Sequence, residues 1–171
     1  METADALYAD HQAALDAYLA AIQTLDASAW NRVPGPERWS PAQVTEHLRL
    51  TYVTVRAELA GEGGFRVRTR WWQQRLYQWM YLPRILREGR FPRRVPAVRE
   101  IRPGPGPYDR TALLAALRTL GEECARELVR APVGARGFRH PFLGRLPPTD
   151  ALRVLSQHIR HHQKQVEPQA G

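Results

Sequence analysis

The chain has 171 residues, of which 43% are apolar, so its length and composition suit one domain, residues 1–171, with a substantial hydrophobic core. No apolar run is longer than six residues, as at 112–117, which is far shorter than the roughly 18 residues of a transmembrane helix, and the single cysteine excludes both an intrachain disulfide and a multi-cysteine zinc site. The net charge of +8 is concentrated in residues 66–102, which contain 11 arginines and two acidic residues, whereas the rest of the chain sums to −1. Since the first residues also lack the profile of a secretory signal, we expect a cytoplasmic protein without a transmembrane segment.

Two amphipathic helices are predicted in the N-terminal third of the chain. Through residues 3–27, apolar side chains recur at steps of three and four, the period of one helical face. Residues 26–38 contain two prolines and a glycine and should break this helix. The second helix has the clearest start signal, because Ser40 is a favourable N-cap, Pro41 suits the first helical position and Gln43 completes a capping box. It should end at the next cluster of glycines.

A long connection, residues 65–107, follows the second helix. Within it, residues 71–86 have helical periodicity, and Pro83 should kink or interrupt that helix. The remainder is rich in proline and glycine and should be extended.

Two further long helices are predicted in the C-terminal third. Asp109 should cap the third helix, which ends before Pro132, and the fourth should run from near Thr149 to just before Pro168. A glycine-rich loop over residues 133–147 connects them. We find no internal repeat and no strand, so the sequence predicts an all-α four-helix bundle with one long crossover between helices 2 and 3.

His158 and His162 have the spacing of a pair of metal ligands. They lie four residues apart on the predicted last helix, so their rings are about 40° apart around its axis and can supply two nitrogens to one divalent ion. Ile159 stands where a zincin has its catalytic glutamate, which excludes that class. Taken alone, the pair also fits a solvated polar face.

A third ligand must come from another helix, and geometry selects His47. It lies about 10 Å from the start of the second helix, whereas His158 and His162 lie about 12 and 6 Å from the end of the last helix. The three residues can meet only if those two helix ends lie together, as in an up-down-down-up bundle with one long crossover. The 43 residues of 65–107 can form that crossover.

The same topology separates the other histidines from this group. His140 lies in the loop before the last helix and His11 near the start of the first, so both should lie at the opposite end of the bundle as hydrogen-bonded residues. His161 is rotated by about 100° from His162 and should be exposed or support a ligand.

Three sequence motifs occur in an order that resembles the DinB-like (YfiT-like) superfamily of bacterial four-helix bundles. They are Arg-Trp-Ser-Pro-Ala-Gln-Val-Thr-Glu-His-Leu at 38–48, His-Pro-Phe-Leu-Gly at 140–144 and His-Ile-Arg-His-His-Gln-Lys-Gln at 158–165. The resemblance implies a three-histidine metal site at His47, His158 and His162. Members of the family include thiol-dependent transferases and suspected amide or ester hydrolases.

Three imidazoles on Zn²⁺ or Ni²⁺ leave at least one position for water or substrate, which is typical of catalytic sites. The resemblance therefore implies an enzyme with a small-molecule substrate, which either joins a low-molecular-weight thiol to an electrophile or hydrolyses an amide or ester. Gln165, on the face of His158, and Gln43, one turn before His47, could orient water or substrate, although neither is a general base. A metal that only braces the end of the bundle is the alternative.

Arginines alternate with aromatic residues in the first part of the crossover. The arginines are Arg66, Arg68, Arg70 and Arg75. Such a mixture can bind nucleic acid or an acidic partner, which would make the chain a non-catalytic binding protein, and it can also lie in a membrane interface. Alternatively, the arginines could guide an anionic substrate to the metal. The helical spacing of the aromatic residues favours a simpler interpretation, in which the tryptophans close the bundle or a homodimer contact at residues 71–80.

Overall fold

The computed structural model describes residues 3–92, 96–132 and 134–167, and the protein is mostly helical, as predicted. The helices are α1 (Ala4–Gln23), α2 (Ala27–Trp30), α3 (Pro41–Leu59), α4 (Trp71–Glu88), α5 (Arg110–Arg130) and α6 (Pro148–Val166). A 3₁₀ turn spans Arg99–Ile101, and strands β1 (Arg139–His140) and β2 (Gly144–Arg145) form an antiparallel pair.

Polar side chains cap α3 and α5 at their N-termini, where backbone N–H groups have no partner inside the helix. The Ser40 Oγ accepts a hydrogen bond from the Gln43 N–H at 3.2 Å, and the Gln43 Oε1 accepts one from the Ser40 N–H at 3.0 Å. In α5, the Asp109 carboxylate accepts from the N–H of Ala112 at 2.6 Å. Both helices therefore begin where the sequence predicts.

Helix α4 continues through Pro83 and reaches Glu88, two residues beyond its predicted end. Proline removes the hydrogen bond to the carbonyl of the residue four positions earlier, which is Trp79. Since 77% of the Trp79 surface is exposed, we expect water to reach this carbonyl and replace the missing bond. The helix ends at Gly89, whose positive φ of 61° is accessible to glycine at little cost.

Two short elements occur where the sequence predicts none. Helix α2 lies within the predicted break at residues 26–38, and the β1–β2 hairpin lies within the predicted loop at residues 133–147. The two strands of the hairpin are too short to show a periodic pattern in the sequence, and the structure remains consistent with the predicted all-α class. Val133 and Pro168, which bounded the predicted loop and the predicted last helix, lie outside the described residues.

The four long helices α1, α3, α5 and α6 bury one apolar core. Helix α1 packs against α5 and α6, and α3 packs mainly against α5. The most deeply buried apolar side chains include Leu15, Ile22, Val55, Leu117, Leu152 and Ile159. At Gly121 the absence of a side chain lets α5 approach α1 closely, since a Cβ there would lie 3.0 Å from Cδ2 of Leu15.

The crossover, residues 65–107, packs back onto the core at both of its ends. The 3₁₀ turn contacts α3, and α4 contacts α6 and β2. Hydrogen bonds join it to the β1–β2 hairpin: the Arg68 N–H donates to the Pro141 carbonyl at 3.1 Å, and the Gln78 amide donates to the Leu143 carbonyl at 2.7 Å. Residues from the crossover are thereby placed beside α3 and α6. None of the helices in the described ranges has the length and apolar content that a membrane crossing requires.

Candidate metal centre

Helices α3 and α6 bring together the three histidines that the sequence singles out. The Nε2 atom of His158 lies 3.2 Å from Nε2 of His47 and 3.0 Å from Nε2 of His162. One ring nitrogen from each residue lies within 4.8 Å of the other two. His47 and His162 are buried and His158 is half-buried, so the cluster lies at the edge of the core.

Hydrogen bonds at Nδ1 determine the tautomers of two of these rings. Nδ1 of His47 lies 2.7 Å from the carbonyl oxygen of Ile101, and Nδ1 of His162 lies 2.9 Å from Oε1 of Gln165. Both partners are acceptors, so both Nδ1 atoms carry the proton and donate. The Nε2 atoms of His47 and His162 are therefore unprotonated, and their lone pairs point toward His158.

Burial keeps these imidazoles in the neutral form that binds metals. It lowers the pKa of His47 from 6.5 to about 4, although the hydrogen bond to Ile101 acts in the opposite direction. The pKa values of His158 and His162 also lie well below the usual value, first because of burial and then because the rings are close to one another.

The donor set fits a divalent cation. In a neutral cluster, Nε2 of His158 can donate one proton to His47 or to His162, which leaves the other lone pair facing it without a donor. A cation at the centre would satisfy all three nitrogens, and imidazole nitrogen is a preferred ligand for zinc, nickel and copper. The three-histidine cluster is thus compatible with a divalent metal site.

The three residues predicted to support the ligands or contact the substrate occupy different places. Gln165 contacts His162 directly, and its amide donates to Nε2 of His161 at 3.2 Å. His161 stacks edge-on against His162, with ring centroids 5.1 Å apart. The Gln43 side chain instead bonds to backbone, accepting from the N–H of Ser40 and donating to the Gly104 carbonyl. Gln165 and His161 therefore adjoin the cluster, whereas Gln43 joins the start of α3 to the crossover.

Three neighbours of the cluster were not found from the sequence. The Ile101 carbonyl orients His47, the Trp39 ring lies 5.0 Å from that of His47, and the Phe91 ring lies 5.7 Å from that of His158. Trp39 had a signal, since it immediately precedes the N-cap of α3 in the motif at 38–48. The Ile101 carbonyl is a backbone group and Phe91 is a single phenylalanine in a proline-rich stretch, so no sequence pattern indicates either of them.

The histidines predicted to lie apart from the cluster are hydrogen-bonded, as expected. His11 is fully buried, and its Nε2 lies 2.7 Å from the Tyr52 hydroxyl. Nδ1 of His140 accepts from the N–H groups of Phe142 and Leu143, at 3.2 and 3.1 Å. His140 makes the smallest of the contributions to the low pKa of His158, and its expected place at the opposite end of the bundle stays a prediction.

The arginines of the crossover remain at the surface. Arg66 and Arg68 lie 3.9 and 4.0 Å from the Glu100 carboxylate, and Arg70 and Arg75 are exposed. Ion pairs at these distances and exposures contribute little to stability. Two further arginines of this segment, Arg93 and Arg94, lie outside the described residues.

Comparison with known families gives one match. A family model described as the DinB superfamily matches residues 10–166, which include all three histidines of the cluster. No curated protein and no solved structure is significantly similar to the chain.

Proposed function

Because the chain belongs to the DinB superfamily, we propose that it is a metal-dependent enzyme whose divalent ion is held by His47, His158 and His162. The observation that carries this proposal is the pair of tautomers described above. Two of the three imidazoles are oriented by acceptors at Nδ1, and all three present Nε2 to one point. Such outer hydrogen bonds are what orient metal-ligating histidines in proteins.

When bound, an ion with three imidazole ligands keeps a coordination position for water or a thiol and lowers the pKa of the group that occupies it. The chain supplies the surroundings of that position. His47 is held by the Ile101 carbonyl and His162 by Gln165, so the ligands need little reorganisation. The rings of Trp39 and Phe91 lie against His47 and His158 and reduce the access of water.

We infer zinc or nickel as the metal and a small molecule as the substrate. Three neutral nitrogen ligands suit these borderline ions better than magnesium or calcium, which prefer oxygen. The reaction we propose is either transfer of a low-molecular-weight thiol to an electrophile or hydrolysis of an amide or ester. Both reactions use a nucleophile with a lowered pKa.

The topology that we infer for the long helices is an up-down-down-up four-helix bundle. It follows from the position of His47 near the start of α3 and of His158 and His162 in the second half of α6. Contact between these residues requires the start of α3 and the end of α6 to lie at the same end of the molecule. Residues 65–107 then run from one end of the bundle to the other, between α3 and α5.

The first experiment is the metal content of protein purified without a histidine tag, measured by mass spectrometry. We expect close to one zinc or nickel per chain, lost in His47→Ala and His158→Ala. Gln163→Ala is the matched control, because it removes a polar side chain from the same turn of α6 whose amide donates to Glu167 and not to the cluster. Equal loss of metal in the control, or no metal in the wild type after reconstitution, would contradict the proposal.

A second experiment separates catalysis from bracing. Metal-loaded protein is incubated with low-molecular-weight thiols and electrophiles, and in parallel with amides and esters, while thiol loss and acid release are followed. We expect turnover that a chelator and His158→Ala abolish. If the metal raises the melting temperature but supports neither reaction, the ion is structural and the enzymatic part of the proposal fails.

A further inference from the structure

One face of α4 exposes an unusual concentration of apolar side chains. Within the described residues, eight large apolar side chains are exposed, and five of them lie in the first ten residues of this helix. Their exposed fractions are 76% for Trp71, 48% for Trp72, 42% for Leu76, 77% for Trp79 and 37% for Met80. Exposed tryptophans at this density mark an interaction surface rather than ordinary solvent contact.

Four of these side chains form a continuous stripe. At 100° per residue, Trp72, Leu76 and Trp79 lie within about 60° of one another around the helix axis. The opposite side of α4 faces the protein, since Gln78 bonds to the Leu143 carbonyl and Ile85 is buried. We call the outward stripe of Trp72, Leu76, Trp79 and Met80 the α4 apolar face; Trp71, the first residue of the helix, lies about 100° from Trp72 and outside this stripe.

Arginines surround the α4 apolar face. On the helix, Arg75 lies about 40° beyond Trp79 on one edge, and Arg84 lies about 40° beyond Met80 on the other. Within the described part of the chain, neither guanidinium has a carboxylate oxygen within 4.0 Å. All nine described arginines of residues 66–102 are exposed, against two acidic residues. The face is thus an apolar stripe bordered by uncompensated positive charge.

The positive charge beside the α4 apolar face favours one of three kinds of binding partner. A second copy of the chain would place an equally basic border against this one, because a two-fold contact pairs the same surface with itself. A single-stranded nucleic acid would stack its bases on tryptophan rings, but much of this exposed surface is aliphatic, from Leu76 and Met80, and offers bases no aromatic face. An anionic bilayer matches both the apolar stripe and its basic border, since the membrane interface accepts tryptophan and leucine while the anionic headgroups pair with arginine.

We propose that the α4 apolar face docks on membrane surfaces that contain anionic phospholipid. Helix α4 lies in the plane of the interface, with its tryptophans at the boundary between headgroups and acyl chains. Arg75 and Arg84 reach the headgroups from the two edges, which the length of the arginine side chain permits. The attachment is peripheral and independent of the histidine cluster.

The test uses full-length protein and vesicles of phosphatidylcholine alone or with phosphatidylglycerol. We expect co-sedimentation with the anionic vesicles, a blue shift of tryptophan fluorescence, and weaker binding as salt rises. The double variant Trp72→Gln/Trp79→Gln should bind at least about tenfold more weakly. Arg75→Gln/Arg84→Gln should lose roughly fivefold per arginine, the equivalent of about 1 kcal/mol each.

Matched controls change other surfaces by the same chemistry. Val33→Gln/Val53→Gln removes exposed apolar side chains outside α4, and Arg32→Gln/Arg130→Gln removes two exposed arginines outside the crossover. Both should bind vesicles like the wild type. His158→Ala should also bind normally, so failure of the metal proposal would leave this result unchanged.

Three outcomes would overturn the proposal. The first is equal binding to neutral and anionic vesicles, or binding to neither; this result needs only the wild type and stands even if a variant fails to fold. The second is a dimer by light scattering that Trp72→Gln/Trp79→Gln dissociates, which would assign the face to a second copy. The third is single-stranded DNA binding that survives physiological salt and is lost in the same variant.

Discussion

Gln165 should control metal affinity without being a ligand. Its Oε1 accepts the Nδ1 proton of His162 at 2.9 Å, which holds the imidazole with Nε2 toward the other two rings. In Gln165→Ala the ring loses this acceptor, so it can rotate or carry its proton on Nε2, where the proton blocks metal binding. The perturbation therefore leaves all three ligands present and changes only their preorganisation.

The size of the effect follows from the exposure of Gln165. Removal of such an outer hydrogen bond typically costs tenfold to a hundredfold in metal affinity. Gln165 is an exposed residue, so water can replace part of the lost bond to His162. We therefore expect a loss near the lower limit, about tenfold, which corresponds to about 1.4 kcal/mol.

Competition with a zinc chelator measures this affinity directly, and two variants make the result specific. Gln165→Glu keeps an acceptor for the His162 proton and should bind zinc at least as tightly as the wild type. Gln163→Ala removes a glutamine from the same turn whose amide donates to Glu167 at 2.7 Å, so it should leave affinity unchanged. If Gln165→Ala stays within about twofold of the wild type, or if Gln163→Ala falls equally, the orienting role of Gln165 is refuted.

Three further predictions concern stability, each measured by urea or thermal unfolding of metal-free protein. Burial lowers the pKa of His11 from 6.5 to about 4, so below pH 6.5 the native state binds fewer protons than the unfolded chain. The stabilisation that comes from neutral His11 is therefore present above pH 6.5 and is lost as the pH falls toward 4. Between pH 7 and pH 5 the free energy of unfolding should fall by about 2 kcal/mol because of His11, and His11→Gln should remove this part of the pH dependence. Gly121→Val should destabilise by about 1–3 kcal/mol, because its side chain would overlap Leu15, and Gly121→Ala should cost less. Ser40→Ala removes the hydroxyl that caps α3 and should lower the free energy of unfolding by about 1 kcal/mol, which corresponds to roughly 2–4 °C in melting temperature. Ser40→Asp is the control, because aspartate caps a helix as well as serine does and should leave the stability unchanged.

The crossover does more than connect α3 to α5, because it also supplies groups that contact the proposed site. Its 3₁₀ turn supplies the carbonyl that orients His47, and Phe91, just after α4, contacts His158. The outward side of the same segment carries the α4 apolar face.

Local sequence signals determined the long helices and the identity of the candidate ligands. The capping box at Ser40 and the cap at Asp109 mark the starts of α3 and α5, because capping is a contact between residues three positions apart. The four-residue spacing of His158 and His162 is likewise local, and it places both rings on one face of α6. Three motifs in order were sufficient to indicate the family, which the family model confirms over residues 10–166.

Only the tertiary structure decided how the ligands are held and what surrounds them. The Ile101 carbonyl accepts a hydrogen bond from His47, which lies 54 residues earlier in the sequence. Every residue has a backbone carbonyl, so no residue type identifies this one as a partner of His47. The β1–β2 hairpin is held by pairing between two-residue strands and by bonds to the crossover, neither of which has a period to detect. Contacts within one turn of a helix follow directly from the spacing of residues in the sequence. Contacts between distant segments depend on how those segments pack, and packing is a property of the whole chain.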